Sequence, residues 1–347
     1  MQPIIQTQSS HFASKMVVSY LPEYEQEEHD HHLHHRSHSH SHNHHGLEPV
    51  IPPFAGRVGG NQDFVVDRSD PKNSKVLERV PDAAPWMSLA EIFDLRGFLS
   101  LDLWKFAVLE CIASMLNTFL TAWVTTHPLS ATTSPTTPSG IYSTVTFFSP
   151  TFGGLTNLLL TPLLIYTFSP SSGGHISPTI TLSTFFARII SFPRMVLYLA
   201  GQTLGGALAG FALRAAYGTR AFTVGGCHID TTMVPVRDAL VIEFFACVIL
   251  IFLAFGVALD PRQARVFGQA VAPWLVGVVV GVVTWGTAWT REGYIGASVN
   301  PARCFGVYVA SGFPSYHWIH WVGPLAAAVA HGLVYFVDPL WKDPRAE

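Results

Sequence analysis

Charge is scarce in this chain. Lys, Arg, Asp and Glu together make up 12% of its 347 residues, with a net balance of -3. No basic stripe runs along any segment, which excludes a nucleic-acid partner. Cysteine is scarcer still: Cys111, Cys227, Cys247 and Cys304 form no Cys-x-x-Cys pair and no zinc spacing, so a dense disulfide framework is not expected. Outside the apolar runs there is neither a phosphate-cradling glycine loop nor a nucleophile with its base, so no enzyme and no cofactor site are indicated. The N-terminus shows no cleavable signal pattern.

What is present is apolar. Hydrophobic residues reach 49%, Gly numbers 28 and the mean hydropathy is +0.31, the composition of a polytopic helical membrane protein. Residues 1–90 read differently, as a disordered, polar cytosolic tail with no apolar periodicity to build a core. Ten His fall between His29 and His45 beside Glu23, Glu25, Glu27, Glu28 and Asp30. That tract is either a weak divalent-metal or pH-sensing segment or an incidental low-complexity tail.

A channel-like domain is expected over 91–341, followed by a short tail at 342–347. Within it, six runs approach the ~20 residues that a helix needs to cross a bilayer: 103–124, 150–169, 195–216, 239–259, 271–290 and 317–337. The link Thr125–Ser149 carries no Lys or Arg and is placed outside. Arg96, Lys105, Arg188, Arg194, Arg262, Arg265, Lys342 and Arg345 then fall inside, so both termini are expected in the cytosol. Gly201 with Gly205, Gly206 with Gly210, and Gly277 with Gly281 predict close helix contacts. Pro162 predicts a kink in the second run.

Dividing the runs three and three exposes a repeat, about 103–216 and 239–337. Each half opens with a membrane glutamate, Glu110 or Glu243, and each has a polar loop after its second run. The loops are Gly173-Gly174-His175-Ile176-Ser177-Pro178-Thr179 and Gly296-Ala297-Ser298-Val299-Asn300-Pro301-Ala302. Three crossings per half invert the second copy, so the loops enter from opposite faces. Ser177 or Asn300 suits a helix cap and Pro178 or Pro301 the first turn, so each loop predicts a re-entrant half-helix ending at the midplane. Two helix N-termini meeting there disfavour cations and protons. Glu110 and Glu243 are expected to hold the loops through backbone N–H groups, with His175 as a further support.

These residues, together with Gln202, Asp260-Pro261-Arg262 and Trp321-Val322-Gly323-Pro324, resemble the major intrinsic proteins, the aquaporin and glyceroporin family. Gly225-Gly226-Cys227 and Cys304 after Asn300-Pro301-Ala302-Arg303 resemble its X intrinsic protein subfamily. The resemblance implies an all-α membrane fold of six transmembrane helices and two half-helices in an inverted repeat. It also implies a homotetramer in the lipid bilayer, with a pore in each protomer for water or small neutral solutes.

On this resemblance Ser177, Pro178, Thr179, Asn300, Pro301 and Ala302 stand at the pore midplane, and Arg303 at the outer constriction with Asn157, Ala288 and Ala297. A one-turn shift toward Phe152-Gly153 is the alternative for Asn157. Cys227 is expected to pair with its counterpart in another protomer, and Cys304 to be a small pore-rim thiol. Ser177 and Thr179 depart from the usual Asn and Ala, and the constriction lacks the His and aromatics of water-selective members.

The implied function is a passive channel for glycerol, urea, hydrogen peroxide or boric acid with reduced water permeability, in the plasma membrane. A non-conducting scaffold or sensor of the same fold is the alternative. A metal transporter is disfavoured because Glu110, Glu243 and His331 show no paired ligand spacing.

Overall fold

The structure, a computed structural model, describes residues 70–75, 87–128, 145–260, 264–288 and 290–337, with backbone alone at 145–149, 264–269 and 336–337. The His29–His45 tract, Arg262, most of the Thr125–Ser149 link, and Lys342 and Arg345 of the 342–347 tail lie outside the described residues, as does the side chain of Arg265. Met87, assigned to the tail by a boundary at 90, is fully buried, and its N–H donates to the Arg188 carbonyl. The packed chain therefore includes a short turn, Leu89–Ile92, capped by Ser88 and Glu91 in a reciprocal box.

Six long helices follow, as expected: α1 Leu101–Val124, α2 Val145–Ser172, α4 Phe192–Tyr217, α5 Val236–Ala254, α6 Ala264–Thr287 and α8 Ile319–Val337. Between them lie two short ones, α3 Pro178–Phe186 and α7 Pro301–Ser311. Five of the long helices meet the length and apolarity needed to cross a membrane, and α8 is a 19-residue apolar helix. A five-residue π segment, Phe255–Leu259, extends α5 to the length of its counterpart α1. Ser100 caps α1, Ser191 caps α4 with Pro193 in its first turn, and Gly218 closes α4 in the left-handed conformation.

The inverted repeat is visible in the packing. Half-helix α7 of the second repeat lies on α4 of the first, and α3 of the first lies on α8 of the second. Close approach depends on glycine: a Cβ at Gly206 or Gly210 would run into the carbonyl oxygens of Ala302 and Gly306 on α7. Gly201 and Gly205 meet α1 in the same way, and Gly277 and Gly281 meet α2. Helix α2 continues through Pro162. The Leu158 carbonyl that Pro162 cannot satisfy faces Gly277, where the absence of a side chain leaves room.

Outward faces carry Trp104, Val108, Leu116, Leu120, Phe245 and Ile249, all exposed. Such a belt is costly in water and suits hydrocarbon. Among the described residues one sheet occurs, a two-stranded pair of β1 Thr126–Pro128 with β2 Phe222–Val224. It pins the link after α4 to the end of α1.

Candidate functional site

The two loops reach the interior through the same backbone device. Ile176 and Val299, each immediately before its cap residue, have positive φ of 63° and 47°. β-branched residues rarely adopt that conformation, so something must hold it. A buried carboxylate does so in each half. Glu110 Oε1 accepts from His175 N at 3.0 Å and Oε2 from Ile176 N at 2.7 Å. Glu243 Oε2 accepts from Ser298 N at 3.0 Å and Oε1 from Val299 N at 2.8 Å. Both side chains are fully buried.

From these turns the half-helices start. Ser177 Oγ accepts from Thr179 N at 3.3 Å, and Asn300 Oδ1 accepts from Arg303 N at 3.3 Å, each with Pro in the first turn. The two N-termini meet: Thr179 Oγ1 donates to the Val299 carbonyl at 2.7 Å. Thr179 thus ties the halves together, a contact that the usual Ala could not make. His175 sits beneath the first turn, its Nδ1 3.1 Å from Thr181 Oγ1 and its ring edge-on to Tyr198. Gln202 Nε2 donates to Glu110 and to Thr181 Oγ1, completing that network.

Arg303 leaves the first turn of α7 toward α1. Its Nε donates to Thr121 Oγ1 at 2.9 Å, and Nη2 to the Thr121 carbonyl at 3.4 Å and Thr125 Oγ1 at 3.2 Å. Its Nη1 lies 3.2 Å from Cys227 Sγ. A desolvated guanidinium surrounded by acceptors in this way is held to one geometry.

The cysteines correct the sequence expectation. Cys227 and Cys304 form a disulfide within the chain, with Cα atoms 5.3 Å apart, so Cys227 is not available to a second protomer and Cys304 is not a free thiol. The cause is local. The β1–β2 pair brings Gly225 N to the Thr125 carbonyl, and Gly226 N donates to the Ile295 carbonyl at 2.8 Å, which lays Cys227 over the start of α7. Gly226 has φ 80°, and a Cβ there would stand 3.1 Å from Arg303 Nη1, so the turn has room for the cation only as glycine.

One cavity of about 550 Å³ joins these parts. It runs from Gly225, Gly226 and His228 past Arg303, Ala288 and Ala297 to Asn300, then on to Ser177 and His175 and ends among Ile165 and Leu259. All four positions assigned to the constriction line it. Asn157 Nδ2 donates to Thr284 Oγ1 at 3.2 Å, which places this amide one helical turn from Ala288. Gly153, the one-turn alternative, also lines the cavity and packs on the Thr125 methyl, beside the Arg303 cradle. Pro178, Thr179, Pro301 and Ala302 back the cavity without lining it.

Thr121 and Thr125 were not singled out from sequence, nor were Asn117 and Thr284, which line the cavity. A signal existed: Asn117, Thr121 and Thr125 recur every four residues, a polar stripe along an otherwise apolar helix.

At the mouth, outside the spanning helices, burial pushes the His228 imidazole below its ordinary pKa, partly opposed by Asp230. Hydrogen bonds from the Thr232 hydroxyl and backbone hold the Asp230 carboxyl below its own.

Comparison with known proteins places this architecture. The family model described as Major intrinsic protein matches residues 98–335. Among curated relatives, a probable aquaporin TIP4-1 of Oryza sativa subsp. japonica is 35% identical over 164 residues, covering 47% of this chain and 61% of that protein. Aquaporin TIP4-3 of Zea mays is 37% identical over 164 residues, covering 47% and 62%. The chain thus spans just over three fifths of the length of these relatives. Among solved structures, the aquaglyceroporin from Plasmodium falciparum aligns with 71% of this chain and 98% of its own at 18% identity and a TM-score of 0.48.

Proposed function

Because the chain belongs to the major intrinsic protein family, an integral membrane family of channels rather than enzymes, we propose that it is a passive channel for small uncharged polar solutes. Glycerol, urea, hydrogen peroxide and boric acid are the solutes of choice, with water passing less well. The observation that carries this reading is the cavity wall at Arg303, where the facing positions Ala288 and Ala297 present methyl groups instead of bulky rings. A wide opening with one fixed cation and two helix N-termini admits neutral polar molecules and rejects cations and protons. In this account Arg303 selects at the outer constriction with Ala288, Ala297 and Asn157, Gly153 one turn away being the alternative to Asn157, and Asn300 donates at the midplane opposite the Ser177 hydroxyl.

The exposed apolar faces support placement in the bilayer, and a homotetramer is the assembly that goes with this proposal. The Lys and Arg bias supports an orientation with both termini cytosolic, and the plasma membrane is the location that goes with this proposal. The Gly225-Gly226-Cys227 and Cys304 motifs, joined by a disulfide, support the X intrinsic protein subfamily.

Stopped-flow swelling of proteoliposomes tests the function. Vesicles bearing the folded protein are expected to take up glycerol and urea faster than empty vesicles; equal rates for every solute and for water would refute a channel. A second reading, a non-conducting scaffold, is favoured by the Thr179–Val299 tie between the half-helices. Ser177→Asn separates the two: a tuned pore changes its solute preference, whereas a degenerate one gains conduction.

A further inference from the structure

Asn117 is unexplained by the loops, the caps or the Arg303 cradle. It is 8% exposed, lies in the middle of α1 and lines the cavity, yet its carboxamide makes no hydrogen bond to another described residue. A carboxamide offers two donors and an acceptor, and this one opens onto the cavity, where whatever occupies the cavity meets it.

Its place is informative. Asn117 is one turn of α1, about 5.4 Å, before Thr121, the residue that holds Arg303 Nε. On α2 and α6, which also wall the cavity, Asn157 spends one amide hydrogen on Thr284 Oγ1 and keeps its carbonyl oxygen as an acceptor. The cavity wall therefore offers a donor-only group at Arg303, an acceptor at Asn157 and, at Asn117, a group that does both.

Resting on the channel reading above, we propose that Asn117 is a solute-binding station that determines specificity, and that the solute class it selects is the polyol, with hydroxyls on adjacent carbons. Each hydroxyl both donates and accepts, and a three-carbon polyol is long enough to hold one station while reaching the next. It gives up water at one hydroxyl only as the neighbouring hydroxyl is bonded. Water spans no two stations and gains nothing from the spacing. Urea presents donors and acceptors on a flat edge and is expected to depend on Asn117 less than glycerol does.

The test is a comparison of glycerol, urea and water permeabilities in one preparation of proteoliposomes bearing the full chain. Asn117→Leu keeps similar bulk and removes the hydrogen bonds. It is expected to lower the glycerol-to-water permeability ratio about tenfold, the effect of losing one hydrogen bond made in a buried site. Asn117→Ser restores a hydroxyl and is expected to recover most of the ratio. It also serves as the deciding variant against Asn117→Ala if the leucine variant does not reconstitute.

An unchanged ratio in the leucine variant, or glycerol and water falling by the same factor in both variants, would overturn the assignment. So would a loss of urea permeability as large as that of glycerol. Failure of the channel reading looks different: the unsubstituted protein itself would pass none of the three.

Discussion

In the first loop Glu110 collects the N–H groups of His175 and Ile176, and in the second Glu243 collects those of Ser298 and Val299, at matching positions before the cap. Beyond that shared core the loops are secured by different means. The first is embedded in a side-chain network in which Ser172 and Gln202 also donate to Glu110 and Thr181 bridges Gln202 to His175. The second is clamped from outside by the Cys227–Cys304 bridge and by Arg303 on α1. Each loop can therefore be loosened without directly touching the other's fastening. The inverted repeat fixes the backbone of both loops, while chemistry particular to each half fastens them.

The largest effect is expected from removing the carboxylates. Glu110→Ala strips acceptors from two backbone N–H groups and two side chains, at about 1–3 kcal/mol for each buried donor left unmet. Glu243→Ala does so for two backbone groups, with the His320 imidazole 3.6 Å away. Thermal unfolding in detergent should show both variants strongly destabilised, Glu110→Ala more so; equal losses would mean the extra donors on Glu110 contribute nothing.

Opening the bridge comes next. A cross-link between residues 77 apart contributes about 4.5 kcal/mol in the chain-entropy account. Cys227→Ser and Cys304→Ser should each lower the melting temperature by a similar amount, and the double variant should fall no further. Additive losses would show that the two sulfurs act separately.

Changing the cap is a smaller perturbation. Ser177→Asn makes the first loop resemble the second and should shift the glycerol-to-water ratio by a few fold, about 1 kcal/mol, while leaving the melting temperature within a degree or two. A large loss of stability would mean that the Ser177 site is too tight for an amide.

The smallest effect concerns pH. His228 has a folded pKa below its ordinary value of about 6.5, so the unfolded chain binds more protons between those two values. Stability from keeping this ring neutral is present above about pH 6.5 and declines as pH falls toward the folded pKa. His228→Gln should flatten that decline, a change of only a degree or two in melting temperature for a half-exposed ring. A variant that still follows the parent's pH profile would assign the decline elsewhere.

Much of this was legible in the sequence because repetition makes local signals reinforce one another. Three runs, a loop and a glutamate appear twice at matching places, and a half-helix start needs only a cap residue followed by Pro. The disulfide was not legible, because Cys227 reaches Cys304 only after the β1–β2 pair has folded the link back over α7. Nor was the Arg303 cradle, whose partners Thr121 and Thr125 lie in the other repeat, about 180 positions earlier. The stripe of Asn117, Thr121 and Thr125 was visible as a pattern, but its meaning depended on knowing which face of α1 turns to the cavity.

Conduction of neutral solutes through the cavity is tested by glycerol entry into proteoliposomes made with the purified chain, measured beside empty vesicles and with a proton-sensitive dye inside. Glycerol is expected to enter well above the empty-vesicle rate with no accompanying proton flux. Glycerol entry no faster than in empty vesicles, or a proton leak that tracks the protein, would contradict it.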